Sequence, residues 1–140
     1  MMKNLLFVCV ENRARSQMAE GLAKHFLGAE YEIFSAGSRP ADRVHPMAVA
    51  AMGEIGIHIH EQKPKSFNDV DMSRIDTVIT LCAEEECPVL PPHVRHISWA
   101  LPDPGSGHTD HPEDVLRKFR KTRDEIRKRI LDLRSEKQMW

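Results

Sequence analysis

Apolar positions along the 140-residue chain fall into short blocks, alternating between the period of a buried strand and that of a helix. Residues 4–10, NLLFVCV, form a near-continuous apolar run of strand length, as expected for a strand covered on both faces of a parallel sheet. From 15 to 27, Met18, Leu22 and Phe26 recur every fourth position with Ala23 and Leu27 beside them, which predicts a helix. Residues 31–35 read as a second short strand, ended by Ala36-Gly37. Pro46 suits the first turn of a second helix; Ala48, Val49, Met52 and Ile55 give its apolar face and Gly56 its end. Residues 57–75 carry a weaker signal: an IHIH alternation, then a Lys- and Pro-containing loop with room for one helical turn. DTVITL at 76–81 predicts a third strand that delivers Cys82, and PVLPP at 88–92 breaks the chain. Residues 94–99 suit a fourth strand. Pro112 then opens a long helix whose apolar face is Val115, Phe119, Ile126, Ile130 and Leu133, with Glu113 and Asp114 in the first turn, where the helix dipole favours negative charge.

Strands alternating with helices predict an α/β fold, a three-layer α-β-α arrangement around a four-stranded parallel sheet, in a single domain over residues 1–140. Ligands of such folds bind beyond the carboxyl ends of the strands. Cys9 and Cys82 both fall at that edge, after the first and third strands.

The loop CVENRARS, residues 9–16, leads from the first strand straight into the first helix. Its backbone N–H groups, with those of the helix N-terminus, can wrap one tetrahedral oxyanion. Arg15 can present a two-pronged guanidinium to two oxygens, and the Cys9 sulfur then lies beneath the central atom, placed for attack. The donors that cradle an anion also stabilise a thiolate, and Ser16 is placed to add one more bond to the sulfur. Phosphate-binding loops usually carry glycines; here Asn12 is the residue that adopts a left-handed backbone most readily after glycine. Without G-K-[ST] this is not a nucleotide P-loop. The plainer reading is an inert strand cysteine before a basic helix start. Yet Arg13 and Arg15 are the wrong charge for a helix N-terminus, a local cost that a bound anion offsets.

Cys82 and Cys87 flank an acidic run, CAEEEC. They are too few to complete a four-ligand structural zinc site. Residues five apart in a continuous helix rise ~7.5 Å along the axis and lie on different sides, whereas a disulfide needs Cα atoms within about 7 Å. The segment is therefore a loop, or a helix that unwinds when the two thiols join. Otherwise Cys82 is a buried strand-end residue and Cys87 incidental.

Composition narrows the classes. Lys plus Arg is 20 and Asp plus Glu 21, a net charge of -1, which argues against nucleic acid or membrane as a partner held by bulk charge. No apolar run approaches the ~20 residues of a membrane helix. MMKNLLFVCVENRAR lacks a small-residue cleavage site, and three cysteines do not suggest a structural disulfide framework; a cytoplasmic protein is expected. The basic stretch 117–129 reads as a solvated helix face, and His58, His60, His108 and His111 as solvated residues rather than metal ligands.

CVENRARSQMAEG resembles the phosphate-binding signature of the low-molecular-weight tyrosine phosphatases, and more closely that of the arsenate reductases sharing their fold. The likeness continues through FSAG at 34–37, HPMAVAAMGEIGI at 45–57, VITLCAEEECPVLPP at 78–92 and LPDP at 101–104. It implies that Val10, Glu11, Asn12, Arg13, Ala14, Arg15 and Ser16 bind arsenate, with phosphate or sulfate able to occupy the same loop. It further implies that Cys9 attacks arsenate, that Cys82 attacks Cys9 to release arsenite, and that Cys87 takes over the disulfide, which thioredoxin or another thiol reductant opens. Asp103, in LPDP, becomes the general acid, although by residue type alone it is equally an Asp-Pro turn. Asn12 and Ser35 are expected to hydrogen-bond the loop. Some of these reductases hold potassium there; Asn12, Glu20 and Ser35 resemble three of its ligands. Lys65 takes the place of the carboxylate, repelling the ion or replacing it with its ammonium, so neither metal nor cofactor is expected. The competing functions are a phosphatase using Cys9, Arg15 and Asp103 alone, and a non-enzymatic oxyanion-binding redox sensor.

Overall fold

A computed structural model describes residues 3–83, 90–105 and 111–136. Its strands are β1 (Lys3–Val8), β2 (Tyr31–Ala36), β3 (Thr77–Thr80) and β4 (Arg95–Ser98); its α-helices are α1 (Arg15–Leu27), α2 (Pro46–Gly53) and α3 (Pro112–Glu136). The order across the sheet is β2-β1-β3-β4, and every pairing is parallel. This is the four-stranded parallel α/β fold that the alternating periods predict.

Side chains of β1 alternate between two apolar clusters. Leu5, Phe7 and Cys9 join residues of α1, α2 and α3 on one face. Leu6 and Val8 join Val70, Ile75 and Val78 on the other, which two single 3₁₀ turns, Phe67–Asp69 and Met72–Arg74, help to cover. Burial on both faces explains why β1 reads as an unbroken apolar run. β4 lies at the sheet edge and is mostly exposed, which is why its sequence signal is weak.

Helix α1 buries Met18, Ala19, Leu22 and Ala23 completely. Helix α3 buries Phe119, Ile126, Ile130 and Leu133, and Arg123 fills the gap in that stripe, donating to Ala51 O at 2.8 Å and pairing with Glu54. Other basic residues of 117–129 are paired on the surface: Arg117 with Asp114, Arg120 with Glu54, Arg129 with Glu125. After α2 the chain reverses at Gly56, whose φ of +78° is a left-handed conformation suited to glycine. No described helix is long and apolar enough to cross a membrane.

The register places the functional edge. Val8 pairs with both Ala36 and Thr80, and Thr80 with Ser98, so all four strands end level. Cys9, Gly37, Leu81-Cys82 and Trp99 follow side by side.

Candidate active site

β1 ends at Val8, and Cys9, 2% exposed, opens the loop to α1. Asn12 holds φ at +49°, the left-handed turn that its residue type allows. Both ends of its side-chain amide are engaged. Oδ1 accepts from Lys65 N at 2.8 Å and Gln17 Nε2 at 2.9 Å, and Nδ2 donates to Ser16 Oγ at 2.7 Å. Ser16 Oγ lies 2.8 Å from Cys9 Sγ. Because Ser16 already accepts from Asn12, its own hydroxyl proton is available to the sulfur, and toward a thiolate only Ser16 can donate.

Helix α1 starts at Arg15 with Ala14 as its cap; Ala14 makes no side-chain cap bond, and no acidic residue sits in the first turn. The N-terminal N–H groups thus face the loop without a side-chain acceptor on the helix, the arrangement that suits an anion. Arg15 is 4% exposed. Its Nη1 donates to Leu81 O at 3.1 Å and Leu101 O at 2.8 Å, joining the helix start to the carbonyl before Cys82 and to the segment before Asp103. Such bonds hold the guanidinium plane in place.

A cavity of about 100 Å³ is lined by Cys9, Val10, Glu11, Arg13, Ala14, Arg15, Arg39 and Asp103. Asp103 reaches it from beyond β4. Its Oδ1 accepts from Gly105 N at 2.9 Å, and Oδ2 lies 3.5 Å from Arg13 Nη2; Arg13 also pairs with Glu11. Cys82 is buried after β3, in the same apolar cluster as Cys9. Cys87 lies outside the described residues.

The structure therefore brings together Cys9, the loop residues 10–16, Arg15, Asp103 and the β3 end that carries Cys82. Ser35 stands differently from its expected place: its hydroxyl donates to Glu20 Oε1 at 2.5 Å, not to the loop. Support reaches the loop indirectly. Glu20 pairs with Lys65 Nζ at 3.3 Å, and the Lys65 backbone holds Asn12.

Residues 4–138 match the family model described as low molecular weight phosphotyrosine protein phosphatase. The chain belongs to this phosphatase family. Its relatives include an arsenate reductase of Halalkalibacterium halodurans, 43% identical over 91% of this chain and 92% of its own. A solved structure described as an arsenate reductase in the phosphate binding state superposes with a TM-score of 0.77 at 34% identity, covering 96% of this chain and 98% of that one. A thioredoxin-dependent arsenate reductase of Corynebacterium glutamicum gives a TM-score of 0.66 at 32% identity, over 93% of this chain and 62% of that one.

The potassium site of some family members does not fit these residues. Glu20 is buried between two ammonium groups, Lys24 Nζ at 2.7 Å and Lys65 Nζ at 3.3 Å, which already supply the positive charge. Burial pushes the Glu20 pKa up, but the bonds from Lys24 and Ser35 and the charge of Lys65 outweigh it, and the net shift is downward. Among the described residues no group of three or more His, Cys, Asp or Glu is placed to hold a metal; His58, His60 and His111 are exposed.

Besides Arg39 on the cavity wall, three contributors escaped the sequence reading. Gln17 is buried and donates to Asn12 and to Lys63 O. Gly37 lies so close to the loop that a Cβ there would meet Val10 O at 2.5 Å and Cys9 O at 2.7 Å. His45 caps α2 through Nδ1, which accepts from Met47 N at 3.1 Å, and its ring packs on Phe119. Burial and the neighbouring Arg13 charge hold its pKa below the ordinary value. The FSAG motif and the His-Pro pair were the available signals for Gly37 and His45; nothing local marked Gln17.

Proposed function

We propose that this chain is an enzyme that reduces arsenate to arsenite, starting at Cys9 and passing oxidation through Cys82 to Cys87. The observation that carries the reading is the cavity: a cysteine sulfur and three arginines line about 100 Å³, room for one tetrahedral oxyanion, with a second thiol at the neighbouring strand end. Belonging to a family whose members include arsenate reductases supports it.

In this mechanism the Cys9 thiolate attacks As(V), and one oxygen leaves as water with a proton from Asp103. Arg15 and the loop N–H groups hold the remaining oxygens. The Cys82 thiolate then attacks the Cys9 sulfur. The S–As bond breaks, its electron pair stays on arsenic as As(III), and a Cys9–Cys82 disulfide forms. Attack by Cys87 on Cys82 frees Cys9 and leaves a Cys82–Cys87 disulfide, which an external dithiol reduces. The thioredoxin-dependent relative supports a donor of the thioredoxin class. A relay of reduced thiols suits a reducing compartment such as the cytoplasm.

A phosphatase reading shares the first step and is favoured by the family membership. The small cavity and the Asp103-Pro104-Gly105 rim, which has no aromatic side chain to grip a phenol ring, favour the inorganic ion instead.

The test is arsenate-dependent NADPH oxidation with thioredoxin and its reductase. Cys9→Ser, Cys82→Ser and Cys87→Ser should each lose turnover. Full activity of Cys87→Ser would remove the third thiol from the relay. Hydrolysis of p-nitrophenyl phosphate without arsenate reduction would establish the phosphatase instead, and oxyanion binding with neither activity would establish a sensor.

A further inference from the structure

Arg39 reaches the cavity from outside the loop. It lies two residues past Gly37, and its backbone N–H donates to Val10 O at 2.9 Å, which fixes its main chain against the loop. Its guanidinium is exposed and forms part of the cavity wall. The other two cations of the wall are engaged: Arg13 with Glu11 and Asp103, Arg15 with the carbonyls of Leu81 and Leu101. Arg39 makes no side-chain hydrogen bond or ion pair with any described residue.

The charge balance of the wall gives this residue its weight. With Cys9 ionised and Asp103 carrying the proton it donates, the negative groups are Cys9 and Glu11, and the positive groups are Arg13, Arg15 and Arg39. The wall then carries one net positive charge. Without Arg39 it is neutral and offers an anion no net attraction. A nucleophilic thiolate and an anionic substrate repel each other, and Arg13 is already shared between two carboxylates.

We propose that Arg39 captures the substrate: its guanidinium, unpaired among the described residues, draws a doubly charged tetrahedral oxyanion into the cavity and binds its outward-facing oxygens. Arsenate as that ion rests on the reductase reading; capture of an oxyanion does not. An interaction made equally before and during the chemical step sets KM rather than kcat. At an exposed position it also responds to salt.

Two readouts test this. The first is protection of Cys9 from iodoacetamide by inorganic phosphate, which needs no turnover. Arg39→Ala should raise the phosphate concentration for half-protection about tenfold, Arg39→Glu should raise it further, and Arg39→Lys should recover most of the loss, because the effect is chiefly that of a charge. Added sodium chloride should weaken protection more in the unsubstituted protein than in Arg39→Ala. The second is arsenate turnover, in which Arg39→Ala should raise KM about tenfold and leave kcat within about twofold. Identical phosphate protection in the Ala, Glu and unsubstituted proteins would overturn the proposal, as would a fall in kcat with KM unchanged. A shifted phosphate response with no arsenate turnover in any form would sustain Arg39 as the capturing residue and reject the reductase reading.

Discussion

The side-chain amide of Asn12 donates to Ser16 Oγ at 2.7 Å, and that oxygen lies 2.8 Å from the sulfur of Cys9. The residue that allows the loop to turn without glycine is thus also the start of a donor chain ending on the nucleophile. Backbone conformation and thiol chemistry depend on one side chain.

Asn12→Gly separates the two roles. Glycine keeps the left-handed backbone but leaves Lys65 N–H without its acceptor and removes one from Gln17. A buried donor left unsatisfied costs about 1–3 kcal/mol, so urea denaturation should show a loss of about 2 kcal/mol. Ser16→Ala removes only the final donor, and alkylation of Cys9 at neutral pH should slow about tenfold. An unchanged rate in Ser16→Ala would show that the chain does not act on the sulfur.

Gly37→Ala tests the close approach of β2 to the loop. The added methyl would meet Val10 O at 2.5 Å and Cys9 O at 2.7 Å, both main-chain carbonyls of the anion loop. Such overpacking costs about 1–3 kcal/mol, and phosphate protection of Cys9 should disappear with it. Native stability together with native protection would mean that the loop yields without loss.

Glu20 ties stability to pH. Its pKa in the fold lies below the ordinary 4.5, so the unfolded chain binds the proton more readily. The stabilisation is present above 4.5 and is lost as pH falls through the lowered value. Glu20→Gln should be less stable than the unsubstituted protein at about pH 7, with the difference narrowing at about pH 4. A difference that does not change with pH, read from urea midpoints, would mean that the ion pairs with Lys24 and Lys65 contribute nothing.

The elements were legible because period and length agree locally: β1 as an unbroken apolar run, α1 through Met18 and Leu22. The anion loop was legible because its residues are consecutive and Asn12 is one of the few types that tolerate its backbone angle. Contacts across strands were not. Ser35 reads as a partner of the loop until the fold turns its hydroxyl toward Glu20, a residue on α1. Arg39 has nothing local to mark it; only the pairing of Val8 with Ala36 carries it to a loop some thirty positions earlier. Cys82 was placed at the right sheet edge because a strand end is a local feature, whereas Cys87 lies outside the described residues.

The hold of Arg15 on Leu81 O and Leu101 O has a further consequence. A guanidinium buried without acceptors would need its anion in order to fold, and would then bind it too tightly to let it go. Two main-chain carbonyls satisfy part of that demand permanently. The site can stand ready before the substrate arrives and release what it has changed, which separates a device for repeated turnover from one for storage.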